Sequence, residues 1–174
     1  MTLELLKSSI RDIPDFPKKG ILFRDITPLL KDPKLIIETA DLMASNYAKL
    51  NPTIIVGLES RGFIFGMALA CRMGLGFVPV RKKGKLPYKT FSVSYELEYG
   101  TDSIEIHQDA IKKSDRIIIV DDLLATGGTA VAAVNLLKKF DAEILGLEFL
   151  IELESLKGRD KLKGFRVNSI ALYP

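Results

Sequence analysis

The stretch Ile117 to Ala130, IIIVDDLLATGGTA, constrains the fold more than any other part of the chain. Its four branched apolar residues, Ile117 to Val120, show no polar alternation and describe a strand covered on both faces, as in the interior of a parallel sheet. Asp121 and Asp122 are expected to end that strand. After Leu123 and Leu124, the small-residue turn Ala125-Thr126-Gly127-Gly128-Thr129 leads into an apolar-periodic run through Leu137 that reads as a helix. The first N–H groups of a helix are unpaired and carry partial positive charge, so a glycine-rich turn leading into one makes a phosphate cradle. Thr126 and Thr129 add hydroxyl donors. Asp121 and Asp122 would repel a bare phosphate, so the ligand must also offer donors, and the vicinal hydroxyls of a sugar phosphate suit carboxylate acceptors.

The same organisation occurs once more upstream. Thr53 to Leu58 is a short apolar strand, Glu59-Ser60-Arg61-Gly62 a polar turn, and Phe63 to Cys71 an apolar helix. Ligands of open α/β sheets sit beyond the carboxyl ends of the strands, so both turns should open into one crevice. Arg61 is then placed either as a surface charge or as the holder of a second anionic group. Gly76 to Val80 reads as a third strand, followed by the basic run Arg81-Lys82-Lys83-Gly84-Lys85. That run is not a Walker loop, because Leu86 follows Gly84-Lys85 where Ser or Thr is required.

The remaining elements follow from pattern and punctuation. Thr2 can cap a short helix reaching towards Ile13, and Pro14, Pro17 and Gly20 break any regular element after it, leaving Phe16 to Pro28 as irregular chain. Such an apolar irregular segment needs something to lie on: the core edge, or a flat apolar ligand facing Ile21, Leu22 and Phe23. Asp32-Pro33 opens a helix with Leu35, Ile36, Thr39, Leu42, Met43 and Leu50 on one side. From Lys89 to Ile106 the pattern alternates, with Phe91, Val93, Tyr95, Ile104 and Ile106 in phase, which predicts a two-stranded ribbon whose polar tip, SYELEYGTDS, is suited to a closing lid. Glu143 to Leu153 is another strand, Ser155 to Leu162 a short helix and Val167 to Leu172 a last strand. The class is α/β, with a mainly parallel sheet flanked by helices.

Composition narrows the function classes. The 174 residues, 47% of them apolar, suffice for one well-filled domain spanning 1–174. The single cysteine, Cys71, cannot form an internal disulfide, no basic-then-apolar leader opens the chain, and no uncharged apolar stretch approaches about 18 residues, so a cytoplasmic protein without a membrane partner is expected. A net charge of +3, with aromatic residues not interleaved with a basic run, gives no nucleic-acid platform. His107, the only histidine, reads as a ribbon surface residue, and one Cys with one His cannot build an ordinary structural zinc site.

IVDDLLATGGTA resembles the signature of the type I phosphoribosyltransferases, which bind 5-phosphoribosyl-1-pyrophosphate (PRPP) with Mg²⁺, and it is most similar to the version in the adenine enzymes. IPDFPKKGILFRDITP resembles their N-terminal hood, GLESRGFIFG their pyrophosphate loop, RKKGKLP their basic loop and SYELEYG their flexible catalytic loop; IELESLKGRDKL resembles their C-terminal segment, so the likeness covers nearly the entire chain. It implies a type I phosphoribosyltransferase fold with a hood at about 14–30 and a flexible β-ribbon loop at about 88–106. The implied substrate-binding residues are Asp121, Asp122, Ala125, Thr126, Gly127, Gly128 and Thr129 for the ribose phosphate, and Glu59, Ser60, Arg81 and Lys85 for the pyrophosphate. Leu22, Phe23 and Arg24 are implied for the base, largely through main-chain groups. Arg61, Glu98 and Tyr99 are the implied catalytic residues, Glu98 near the imidazole side of the base and Tyr99 near the leaving group. The family also suggests a cis Glu59–Ser60 peptide.

The resemblance further implies transfer of the phosphoribosyl group from PRPP to adenine, giving AMP and pyrophosphate in purine salvage, by a homodimer. Mg²⁺ would be held mainly by PRPP, with water bridges to Asp121 and Asp122 left open, rather than directly by the protein. Oxopurine enzymes usually carry aspartate where this chain has Ala125, but xanthine enzymes can carry alanine, so the hood and the LEYG loop carry the choice of adenine. A regulator that keeps the fold to sense PRPP is the alternative of another class; it would commonly add a DNA-binding module, for which this chain has no room.

Overall fold

The computed structural model describes residues 2–96 and 100–174. Glu98 and Tyr99 lie outside the described residues. The chain begins with α1 (Leu3–Ser8), capped by the Thr2 hydroxyl accepting from Leu5 N. This helix is shorter than its apolar spacing suggests. The hydroxyls of Ser8 and Ser9 donate back to Leu5 O and Leu6 O at its end, and the chain then extends as β1 (Arg11–Pro14), antiparallel to β2 (Leu22–Asp25). The segment expected to be irregular therefore contains a strand, and its last residues already enter α2 (Thr27–Lys31).

In α3 (Pro33–Ser45) Asp32 is the N-cap, accepting from the backbone N–H of Lys34 and of Leu35. Leu35, Thr39 and Met43 are buried on it; Leu42 faces outward and Leu50 lies beyond its end, so the inward stripe is narrower than the sequence suggests. Next come β3 (Ile54–Leu58), α4 (Gly62–Met73), β4 (Gly76–Lys82), the ribbon β5 (Thr90–Glu96) and β6 (Thr101–His107), β7 (Arg116–Leu124), α5 (Gly128–Leu137), β8 (Glu143–Leu153) and β9 (Val167–Tyr173). The region expected to form a helix at 155–162 is instead two 3-10 turns, Glu154–Leu156 and Gly158–Leu162, parted by Lys157 at φ 52°.

Among the described residues the main sheet runs β5-β6-β4-β3-β7-β8-β9. β4, β3, β7, β8 and β9 are parallel, and the ribbon adds antiparallel strands at one edge. β7 is central, as its uninterrupted apolar run requires. Ile117 and Ile119 pack with α5, while Ile118 and Val120 pack with α3 and α4 on the opposite face, so each face of the strand seals a different core. Each such side chain contributes roughly 1.5–3 kcal/mol by burial. β7 does not stop at the carboxylates. Asp121 pairs with Phe149, and Leu123 and Leu124 with Ile151 and Glu152, which holds both acids in a rigid strand rather than a turn.

A polar group sits inside the second core. Glu148 on β8 is fully buried and accepts from Asn46 Nδ2 at 3.0 and 3.3 Å, while Tyr47 OH accepts from Asn168 Nδ2 at 3.3 Å. Burial pushes the Glu148 carboxyl up to about 7, against the opposing pull of its hydrogen bonds. Cys71 is exposed on α4. His107 is half-buried rather than a surface residue, its ring edge-on to Tyr88.

Candidate active site

β3 and β7 are hydrogen-bonded neighbours, so the turns that follow them open side by side, as expected for ligand crevices in α/β sheets. Between them lies a cleft of about 290 Å³ lined by Glu59, Ser60 and Arg61 from the first turn and by Asp121, Asp122 and Thr129 from the second. Lys82, Tyr95 and Asp102 close it from the basic run and the ribbon. The helix after the first turn can approach this closely because of Gly62. A Cβ there would stand 2.7 Å from Val120 O and 2.8 Å from Asp121 Oδ1.

Arg61, at the N-cap of α4, places Nε 2.8 Å from Asp122 Oδ2 and its guanidinium 5.2 Å from the centre of the Phe23 ring. Asp121 Oδ1 accepts from Asp122 N at 2.9 Å. Burial, and then the neighbouring Asp122 charge, pushes the Asp121 carboxyl well above the usual carboxylate range. Burial also raises Asp122, with the Arg61 guanidinium pulling it back. At both acids burial outweighs the opposing Arg61 charge, which suits them to ligand hydroxyls. Asp122 Oδ2 has no aligned hydrogen-bond donor among the described residues.

The glycine-rich turn forms a second, smaller cavity of about 80 Å³, lined by Asp121 and by residues 123–130 with Phe149. Gly127 is the N-cap of α5 at φ 78°, a conformation glycine adopts without strain, and no side chain caps the helix. Its first N–H groups are thus available to an anion. Thr129 Oγ1 meets Tyr95 OH at 3.5 Å, which joins the ribbon to the cradle.

The basic run is organised by an acid. Glu59 Oε1 lies 2.6 Å from Lys85 Nζ and 3.2 Å from Arg81 Nη2, and its Oε2 accepts from Lys82 N at 2.8 Å. Burial works against ionisation, but these partners outweigh it and hold the Glu59 carboxyl down to about 2. A second buried acid, Glu105, accepts from Gly84 N at 3.0 Å. Lys82, which sequence reasoning passed over in favour of Arg81 and Lys85, lines the cleft and pairs with Asp102 at 3.1 Å. Its place inside the same run was the available signal. Asp102 gave none, since only strand pairing opposite Tyr95 brings it there. The Glu59–Ser60 peptide is cis, as the family pattern suggested.

A third cavity, about 490 Å³ and mainly apolar, lies under the β1–β2 pair and is lined by Ile13, Phe16, Phe23, Ile26, Leu30 and Ile64 with Asp25, Thr27 and Arg61. Of the side chains expected to face a flat ligand, Phe23 alone does so. Leu22 and Ile21 are largely exposed, because alternation along β2 turns Leu22 away and Ile21 precedes the strand. The Arg24 side chain also points elsewhere. It pairs with Asp12 and lies 3.9 Å over the Tyr173 ring, which leaves only its main chain for a ligand. Arg61 lines the first and third cavities, and Asp121 and Thr129 line the first and second, so the spaces form one series: apolar pocket, charged cleft, phosphate cradle.

The fold and this series define a type I phosphoribosyltransferase. The phosphoribosyl transferase domain model matches residues 25–170. An adenine phosphoribosyltransferase of Francisella tularensis subsp. holarctica is 59% identical over 172 residues, covering 98% of each chain. The crystal structure of adenine phosphoribosyltransferase from Thermoanaerobacter pseudethanolicus superposes with a TM-score of 0.95 at 51% identity, over 99% of this chain and 100% of that one. The Saccharomyces cerevisiae enzyme, complexed with an imino-altritol bisphosphate and adenine, superposes at 0.91 with 44% identity over 97% of both chains. The chain belongs to the phosphoribosyltransferase family, among the adenine phosphoribosyltransferases.

Proposed function

We infer that the protein transfers the 5-phosphoribosyl group from PRPP to adenine, releasing pyrophosphate and forming AMP. The observation that carries this reading is the continuous series of cavities joined through Arg61 and Asp121, whose order of apolar pocket, charged cleft and phosphate cradle matches base, pyrophosphate-bearing ribose and 5′-phosphate. Adenine in the yeast relative and 9-deazaadenine in the Giardia lamblia relative, which is 35% identical with a TM-score of 0.92, favour adenine as the base.

In the reaction N9 of adenine forms a bond to C1 of the ribose as the C1–oxygen bond to pyrophosphate breaks and the N9 proton leaves. By analogy with glycosyl transfer, positive charge builds on the sugar ring and negative charge on the departing group. Arg61, Arg81, Lys82 and Lys85 supply cationic donors for the departing oxygens. Asp121 and Asp122 accept from the ribose hydroxyls, and the Ala125–Thr129 turn holds the phosphate. Phe23 forms a wall for the adenine ring, with main-chain groups near Leu22 and Arg24 as its polar partners. Glu98 is assigned to position the base or take its proton, and Tyr99 to the leaving group; both act from the loop at about 88–106, whose closure keeps water from the reacting carbon.

Mg²⁺ is the cofactor of this reading. Among the described residues no three carboxylate, histidine or cysteine side chains converge as a metal cage, while Asp121 and Asp122 border the cleft; that donor set fits an ion carried in on PRPP oxygens and bridged by water. Bound there, the ion would neutralise charge on the leaving pyrophosphate. The chain is read as one domain acting in purine salvage in the cytoplasm; no helix among the described residues is long and apolar enough to cross a membrane. A homodimer belongs to this reading through the family resemblance.

The deciding measurement is pyrophosphate release from PRPP and Mg²⁺ with adenine, hypoxanthine, guanine and xanthine offered separately. Turnover with adenine alone is expected. Turnover with only an oxopurine would overturn the base assignment, and binding of PRPP without turnover on any base would overturn the enzyme.

A further inference from the structure

The phosphate cradle has little to hold it in shape. Ala125 and Gly128 are half-buried, Thr126 is exposed, and Gly127 has no side chain, so the turn cannot be anchored by its own packing. Its N–H groups nevertheless need a fixed aim, because a site built for an anion works only as far as its donors are held in place. The support comes from thirty residues downstream, from Gly158 at the start of the second 3-10 turn. A Cβ on Gly158 would stand 2.1 Å from Ala125 O and 2.9 Å from Gly127 N; a Cβ on Gly127 would stand 2.6 Å from Gly158 O. Two backbones touch directly, at a distance that only glycine on both sides permits.

Gly158 is itself pinned by its neighbour. Arg159 Nε donates to Glu152 Oε1 at 2.9 Å, Nη2 donates to Glu152 Oε2 and to Ser169 Oγ at 3.3 Å, and Nη1 donates to Val167 O at 2.6 Å. Glu152 is 4% exposed, and its position on β8 is paired in register with Leu124, the residue before the cradle begins. At the other end of the turn Leu162 is buried in the core shared with α5. The path therefore leaves β7 at Leu124, crosses to Glu152, passes through the Arg159 fork to Gly158 and returns to the backbone of Ala125 and Gly127.

We propose that Arg159 and Gly158 are positioning residues for the phosphate cradle: the Glu152–Arg159 fork holds the Gly158 backbone against the Ala125–Gly127 turn and so sets the aim of the N–H groups that receive the 5′-phosphate. The inference rests on the proposed function for the identity of the anion. Arg159 touches no substrate; it acts through Gly158. Arg159→Gln loses the planar bidentate fork and Arg159→Lys cannot fully rebuild it, whereas Gly158→Ala drives a methyl group into the turn.

The test compares wild type with Arg159→Gln, Arg159→Lys and Gly158→Ala. It measures KM for PRPP, KM for adenine and kcat at a temperature at which thermal scans show each variant folded, and calorimetric Kd for ribose 5-phosphate. KM for PRPP and Kd for ribose 5-phosphate are expected to rise about ten-fold in Arg159→Gln, with KM for adenine unchanged and kcat less affected. Arg159→Lys should fall between, and it carries the test if Arg159→Gln or Gly158→Ala does not fold. Unchanged Kd and KM with only a lowered melting temperature would overturn the proposal, as would an equal rise in both KM values. Wild type that binds ribose 5-phosphate but turns over no base would defeat the proposed activity and leave the brace standing; wild type that binds none would defeat both.

Discussion

Arg61 Nε stands 2.8 Å from Asp122 Oδ2, and the same guanidinium faces the Phe23 ring, so one side chain links the carboxylate strand to the hood. Asp122 is 5% exposed, and removing its cation leaves a buried charge, a loss that costs about 3–5 kcal/mol in fully buried pairs. With Arg61 a third exposed, Arg61→Ala should lower stability by roughly half that amount and lower kcat/KM by more than about a hundred-fold. Adding Asp122→Asn should restore most of the stability and none of the activity. Urea denaturation of the single and double variants checks the first statement and steady-state kinetics the second.

Glu59 holds Lys85, Arg81 and the backbone of Lys82 at once. Glutamine keeps one acceptor for the backbone and loses both ion pairs, so Glu59→Gln should raise KM for PRPP about ten-fold while leaving KM for adenine unchanged. The carboxyl is depressed to about 2 from its ordinary 4.5, so the stability it contributes is present above pH 4.5 and is lost as pH falls towards 2. Acid unfolding of Glu59→Gln should accordingly show a weaker dependence on pH across that window than wild type.

Phe23 is the residue of the Ile21–Phe23 run that lines the apolar pocket, and its ring also contacts Phe16 edge-on at a centroid distance of 5.2 Å. Truncation to alanine removes a wall of the base pocket and the aromatic neighbour of the Arg61 guanidinium, but no side chain that itself lines the cleft or the cradle. Phe23→Ala should raise KM for adenine by about ten-fold or more, on the scale of a buried aromatic contact, with KM for PRPP unchanged. Equal changes in both would show that the hood also shapes the PRPP site.

Glu148 titrates near 7 in the folded protein against an ordinary 4.5. Its folded value is raised, so the unfolded chain ionises first as pH rises, and stability is lost between about pH 4.5 and pH 7, by on the order of 3 kcal/mol. Glu148→Gln should flatten this fall, leaving the variant's stability less dependent on pH between 5 and 8. Chemical denaturation at several pH values measures both curves.

How far the sequence could be read depended on how local each signal was. β7 was visible because four branched residues admit few other settings, and both strand-turn-helix units were visible because glycine and proline mark their ends. The strand's continuation through Leu124 was not, since it depends on pairing with β8. Nor was β2 visible, a short strand among prolines whose partner is the equally short β1. The cleft's anions and cations were named largely from motifs, but the Glu59 clamp, the Lys82–Asp102 pair and the packing of Arg24 onto Tyr173 arise from contacts between distant segments. Gly158 was the least legible, as its meaning lies entirely in the backbone it touches.

The alternation along β7 ties chemistry to strand alignment. Ile117 and Ile119 face one core, Ile118 and Val120 the other, and the two acids continue the same rhythm, Asp122 towards Arg61 and Asp121 towards the junction of cleft and cradle. One residue inserted between Ile117 and Val120 would leave a strand just as apolar, yet would exchange the directions of the two carboxylates. In this protein a frame error of a single residue therefore erases the reaction before it need erase the fold, and turnover becomes an assay of how faithfully the central strand has been threaded.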